Sequence, residues 1–564
     1  MSFYPVSPSV AIPDVGIPGV DQATVMVAVP VSALVWPVRV GSGGQGRSGL
    51  VVAGAEKIKT GDPVAWCKVV VVTAAVVRRD GRVQADGRPC DHARLGIAEL
   101  ELDRRCGRGT IERVAAGVRL TGPKVKGKAR REMSVPFTIR AVLLMTLMPE
   151  ADHREVLTAL LGDLIGVPWR RAHAVPSGTV LSTWRTAIGP ATVQELQREL
   201  LAAVVAEHRD GGPPTVEVGG GLRLGAIDGT VTRMPDTKAN RAEFGTAGAA
   251  ETGYPQIRHL HASDAFTRAS LAAVTGPAGG DKAEAEQRLL DRMLTEHPDV
   301  FGPDRLWIMD RNFPGVPRIA AMLATKTHVL IRVKSDIRLP RISQFAPDGS
   351  CLARLSGGGV TLTMRVIEYH VSIDGRTTPE LVTDLLDHDT HPARLLAAAY
   401  RWRWDGSETA LREAKSTIAG AGPGTAAILR SATPDLIRQE HAAWMIATEL
   451  VHAATRSAAA VASPFRKGPR AGRTVQARHL SFTTTRRVLI TTVRTGTATA
   501  GLPARARSAA HQAALDVIAV ARVTTDRHRH RPHQIKTGQA FAHAPRGITT
   551  RTAPATVHVC GTAA

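Results

Sequence analysis

Cysteine, long apolar runs and acidic residues are all scarce in this chain, and each shortage excludes something. The 564 residues hold five cysteines, Cys67, Cys90, Cys106, Cys351 and Cys560. They are scattered and form no CxxC pair, which argues against a zinc ribbon and gives no disulfide framework. A reducing compartment fits that usage. The apolar run Val69–Val77 is far shorter than the about 20 residues a membrane span needs. The opening, Met1-Ser2-Phe3-Tyr4-Pro5-Val6, lacks a basic stretch, so no secretory signal is expected.

The shortage of acids says most about partners. Fifty Asp and Glu face 72 Lys and Arg, for a formal net charge of +22 and a pI of about 10.6. That imbalance does not specify a fold, but it favours a polyanion partner, nucleic acid above all. A soluble basic protein with no such partner is the plainer reading. A hydrophobic share of 43% supports a sizeable core, and the length predicts two to four domains.

Composition and periodicity divide the chain further. Residues 1–94 are rich in Val, Gly and Pro with no sustained helical period, the pattern of a poorly folded leader. A start codon assigned upstream of the native one would produce such a leader. Residues 95–214 read as a helical module, with helices over Phe137–Met148 and Asp152–Leu164, Asp152 as N-cap, then Thr179–Ala187 and Thr192–Glu207. The basic run Lys124–Arg131 within it reads as a solvated linker.

From residue 215 to 334 the order becomes strand, strand, strand, helix, strand, helix, strand: Leu222–Asp228, Gln256–Ser263, Ala269–Thr275, Lys282–His297, Arg305–Met309, Arg318–Ala324 and His328–Val333. Residues 335–390 look β-rich, and 391–460 return to helix. Beyond, 461–564 read as a basic, largely irregular arm suited to a phosphate backbone. In Arg527-His528-Arg529-His530-Arg531 no acid or cysteine accompanies the histidines, which argues against a metal site there.

Three acids stand out. Asp228 ends an apolar run and is followed by Gly229, which leaves room for a ligand to approach. Asp310 ends a second run. Glu408 lies on a helical stretch seven positions before Lys415, two turns on one face, with Arg403 five positions before it. Asp often just starts a turn, and helix charges usually just solvate. Together, however, three carboxylates on adjacent elements suit a clamp on two divalent ions about 4 Å apart, a phosphodiester chemistry.

With those residues in place the chain resembles the DDE transposases of the insertion sequence four family, over about residues 95–460. That family carries, on its Glu helix, Tyr, two residues, Arg, three residues, Glu, six residues, Lys. Tyr400, Arg403, Glu408 and Lys415 correspond to it. The segments Val135–Val156 and Pro176–Pro190, and Asp236-Thr237, Asn240 and Phe244-Gly245 after the first acid, look familial as well. One departure is plain: four residues, not three, separate Arg403 from Glu408. Either a one-residue bulge or helix start at Gly406-Ser407 absorbs the shift, or Tyr400 and Arg403 face differently. Glu413 is the competing acid on that helix.

The resemblance implies an α/β ribonuclease H-like core with a β-rich insertion, Asp228, Asp310 and Glu408 being catalytic and holding two Mg²⁺ ions, with Mn²⁺ substituting. It implies that Tyr400, Arg403 and Lys415 contact DNA phosphates. The helical module would grip inverted repeats, and a homodimer would cut double-stranded DNA at its element's ends and join the 3′ ends to target DNA. A cytoplasmic, nucleoid-associated bacterial enzyme follows. Two alternatives share most of these features: another ribonuclease H-like nuclease, and a catalytically decayed DNA-binding copy.

Overall fold

The computed structural model describes residues 93–120, 133–162, 175–209, 218–246, 253–279, 282–313, 315–334, 337–371, 380–418, 428–468, 470–495, 503–523 and 557–560, together with three short strands near the start. Those strands, β1 (Val29–Pro30), β2 (Ala55–Lys57) and β3 (Trp66–Val69), pair antiparallel in the order β1-β3-β2. The rest of the expected leader up to residue 92, the basic run Lys124–Arg131 and the Arg527–Arg531 stretch lie outside the described residues.

Helices come first: α1 (Ile97–Cys106), α2 (Thr110–Ala116), α3 (Val135–Leu147), α4 (His153–Gly162) and α5 (Gly178–Arg209). Asp152 does cap α4, its Oδ1 accepting from the Glu155 N–H at 2.7 Å. The two expected helices after Ser177 form one run, α5, bent where Gly189 takes a φ of 68° just before Pro190.

The expected strand order follows, with more strand and helix than foreseen: β4 (Arg223–Arg233), α6 (Lys238–Phe244), β5 (Gln256–Asp264), β6 (Ser270–Pro277), α7 (Lys282–Glu296), β7 (Arg305–Met309), α8 (Val316–Ala324) and β8 (His328–Arg332). β4 does not end at Asp228 but runs on to Arg233, because that half pairs with β5 from Thr232↔Ile257 back to Asp228↔His261. Next come β9 (Cys351–Gly357), β10 (Val360–Val371) and β11 (Glu380–Thr383). This β-rich stretch extends the same sheet, since β11 pairs antiparallel with β8.

Among the described residues the sheet has nine strands in the order β12-β10-β11-β8-β7-β4-β5-β6, with β9 on β10; β12 is the short strand Val557–Val559. β4, β7 and β8 run parallel, while β5 and β6 run antiparallel to their neighbours. A mixed sheet in this order, flanked by helices, fits a ribonuclease H-like core. β7 alternates as a doubly buried strand should: Leu306 and Ile308 join one apolar layer, Trp307 and Met309 the other.

The Glu-bearing stretch is α9 (Ala393–Tyr400), a wide π turn over Trp404–Glu408, α10 (Thr409–Glu413) and a second wide turn over Ala414–Ile418. α11 (Pro434–Val461) follows. The described part of the expected irregular arm contains two helices, α12 (Phe482–Arg494) and α13 (Ala504–Val520). Their buried Phe482, Leu489, Ile490 and Val493, and Leu515 and Ile518, supply the apolar stripes that an Arg- and Thr-rich composition disguises. These helices join α1, α3 and α5 around α11 in one apolar core.

Candidate active site

Parallel pairing of β4 with β7 carries two of the three acids toward the same end of the sheet. Ala226 stands opposite Ile308. Asp228 and Asp310 each come two residues after that last pair. Asp228 sits in mid-strand and Asp310 just past the end of β7. Asn312 engages both Asp310 oxygens: its backbone N–H donates to Oδ1 at 2.8 Å and its Nδ2 to Oδ2 at 3.3 Å. The Asn312 carbonyl in turn accepts from Gln287 Nε2 at 3.2 Å.

The room beside Gly229 is not a ligand's. A Cβ there would lie 2.9 Å from Glu286 Oε1, so the position is small because Glu286 fills it. Glu286 is buried in an ion pair with Arg258 at 3.1 Å.

Glu408 reaches Asp228 through an arginine. Arg403 NH1 lies 3.1 Å from Asp228 Oδ2, and its NH2 lies 3.6 Å from Glu408 Oε2. The guanidinium carbon stands 4.7 Å from the centre of the exposed Trp404 ring. Burial pushes the Glu408 carboxyl above its ordinary range; Arg403 opposes that and the Asp228 charge adds to it. Asp310 takes no part in this ion-pair bridge.

The wide turn explains the spacing of this stretch. The Thr409 N–H bonds back to the Trp404 carbonyl, five residues before it, which takes up one residue more than an α turn does. Gly406 makes this possible by resting on the backbone of Ala265. The other expected residues fall as follows. Tyr400 is buried, and its hydroxyl donates to the Met309 carbonyl at 3.2 Å, fastening α9 to the residue before Asp310. Burial raises its phenol well above the usual value. Lys415 is near β5: after burial and His441, its charge is the next influence holding the buried His259 neutral. Glu413, the competing acid, is committed elsewhere, paired with Arg268 at 2.9 Å and His452 at 3.3 Å.

Sequence reasoning missed Asn312 as a partner of Asp310, although an Asn two residues past a strand-end Asp is the pattern of a side chain that closes such a turn. It also missed Trp402, which is buried against Phe266 at 5.6 Å and covered by Arg478, whose guanidinium carbon is 4.6 Å from its ring.

Among the described residues, no group of three or more His, Cys, Asp and Glu gathers closely enough to hold a metal ion. The donor chemistry of Asp228, Asp310 and Glu408 nonetheless fits a hard divalent ion, which takes carboxylate oxygens. The cation between Asp228 and Glu408 here is the Arg403 guanidinium. Among the described residues, no helix is long and apolar enough to cross a membrane.

Residues 219–420 match a family described as a transposase DDE domain. Asp228, Asp310, Tyr400, Arg403, Glu408 and Lys415 all fall within that match. The transposase InsG for insertion sequence element IS4 of Escherichia coli (strain K12) is 25% identical over 245 residues, 41% of this chain and 52% of that protein. The similarity thus spans about half the length of that relative. The cryo-EM structure of the piggyBac transposase synaptic complex with hairpin DNA aligns over 77% of this chain and 87% of that chain, at 13% identity and a TM-score of 0.38. That likeness is too slight to support an argument about fold or function. The chain is similar to a transposase of the insertion sequence four type, and its residues 219–420 match the transposase DDE domain family.

Proposed function

We propose that this protein is a DNA transposase that cuts double-stranded DNA at the inverted-repeat ends of its element and joins the 3′ ends to target DNA. What supports this reading is that Asp228 and Asp310 both follow, by two residues, the last pair of the β4–β7 ladder, and that Arg403 lies between Asp228 and Glu408, within a stretch that matches a transposase DDE domain.

In this reading Asp228, Asp310 and Glu408 hold two divalent ions, Mg²⁺ or Mn²⁺. Bound there, such ions supply an activated attacking oxygen and neutralise the leaving one. Arg403 and Lys415 hold DNA phosphates, each cation placing a phosphodiester against the acids. Tyr400 acts beside them by fixing the end of β7, and Asn312 orients the Asp310 carboxylate. The helical bundle grips the ends, and two copies act together, since two ends must be cut for one insertion.

The test uses a supercoiled plasmid carrying the DNA that flanks this reading frame, purified protein and Mg²⁺. Nicks at the flanks and joined products are expected, and both are lost in Asp228→Asn, Asp310→Asn and Glu408→Gln. Equal nicking by wild type and Asp310→Asn refutes the site. Cleavage with no joined product makes the protein a nuclease instead.

A further inference from the structure

Arg403 is an odd residue for a site that is to receive metal ions. It inserts a fixed positive charge between two of the three acids, pairing with Asp228 at 3.1 Å and Glu408 at 3.6 Å. Its side chain is only 11% exposed, and its Nε finds no hydrogen-bond partner. A guanidinium buried with one N–H unsatisfied is held there mainly by the two carboxylates. A divalent cation and this guanidinium compete for the same oxygens and repel each other at such range. One side of the contact is open, because the Glu408 side chain is 46% exposed and the Trp404 ring beneath the guanidinium faces solvent. A phosphate arriving from that side offers a planar guanidinium a paired acceptor at least as good as two separate carboxylates.

We propose that Arg403 makes ion binding at Asp228 and Glu408 conditional on a DNA phosphate, and so determines that the site is armed only on DNA. This rests on the proposed function. Without DNA, Arg403 occupies the gap between the carboxylates. With DNA, the guanidinium turns to a phosphate, and the two carboxylates are released to the ions. The coupling is reciprocal: DNA tightens ion binding by the same factor as ions tighten DNA binding. The wide turn over Trp404–Glu408 contributes by setting Glu408 close enough to share the Arg403 guanidinium with Asp228.

The experiment is a Mn²⁺ titration of the full-length chain, free Mn²⁺ being read by electron paramagnetic resonance, with and without a 5′-phosphorylated blunt duplex of arbitrary sequence. A DNA-only blank is subtracted. In wild type the duplex is expected to raise Mn²⁺ affinity on the order of tenfold. In Arg403→Gln, Mn²⁺ binds tightly without DNA and gains nothing from it. Arg403→Lys, which keeps the charge but not the fork, falls between. Circular dichroism checks that both variants fold, and the wild-type comparison stands even where they do not. Equal Mn²⁺ affinity in wild type with and without duplex overturns the inference and leaves the ion site standing. No Mn²⁺ bound by any of the three proteins, with or without duplex, overturns the ion site, and the proposed function with it.

Discussion

Replacing Gly406 by Ala tests the packing that sets Glu408 in place, because two well-understood effects oppose each other there. In an ordinary helix interior the change removes backbone freedom from the unfolded chain and stabilises by about 0.5–1 kcal/mol. In this structure the new methyl carbon would lie 2.5 Å from the Ala265 Cα and 2.9 Å from its carbonyl oxygen. Carbon atoms in contact stand at about 3.5–4.0 Å, so the overlap is about 1 Å. The atoms in the way are backbone, at the start of the β5–β6 connection, and cannot rotate aside as a side chain would. Overpacking of this kind costs about 1–3 kcal/mol. The net expectation is a loss of up to about 2 kcal/mol, measured as a lower urea midpoint with an unchanged slope. Since Glu408 is two residues on, DNA nicking falls further than the folded fraction does. A midpoint that rises, as helix propensity alone demands, refutes the close approach of Gly406 to Ala265.

Two further substitutions separate the acids of this region. Glu408→Gln is expected to lower nicking at least on the order of a hundredfold with little change in stability, whereas Glu413→Gln, which strands Arg268 and His452, is expected to lower the unfolding midpoint while the rate per folded molecule holds; nicking assays and urea titrations on both variants read the difference. Glu101 gives a pH prediction. Burial pushes its carboxyl up, but the His511 hydrogen bond and the Arg105 guanidinium outweigh that and bring its pKa down from 4.5 to about 2. A depressed acid stabilises above its unfolded pKa and loses that contribution as pH falls through the folded one. Glu101→Gln is therefore expected to be less stable than wild type at neutral pH by about 3 kcal/mol, the gap closing between about pH 4.5 and pH 2; unfolding titrations across that range measure it.

Much of the sheet was legible because strand periodicity is local. The order from β4 to β8 follows from apolar runs and turns, and the position of Asp310 from where its run stops. The length of β4 was not, since Gly229 looks like a stop and is instead the space Glu286 needs, 57 positions later in the chain. The short helix α6 was missed although Thr237 caps it, its side chain accepting from the Asn240 N–H at 3.1 Å. The tail helix α12 was hidden by arginine and threonine. The extra residue before Glu408 could be noticed in the sequence, and a bulge was one of the two ways to absorb it. What no spacing could yield is Arg403 lodged against Asp228, a contact across 175 positions. Long-range side-chain partners depend on packing that periodicity does not encode.

The central place of α11 has a consequence for the order in which the molecule is made. Thr146 in α3 bonds to the Ala443 carbonyl 297 positions later, Arg185 in α5 to Gln439 254 positions later, and Glu101 in α1 to Ser457 356 positions later. The Ile97 N–H waits for Thr492, 395 positions on. The first helices to leave the ribosome are thus among the last to find their partners. The sheet strands β4 to β8, whose neighbours are close in sequence, can assemble while α1 to α5 still lack the helix they enclose. Closing such distant contacts is slow, and apolar helix faces exposed in the interval invite association. The chain therefore commits its sheet strands β4 to β8 before its helical bundle, and α11 is the element whose synthesis lets the two ends of the molecule meet.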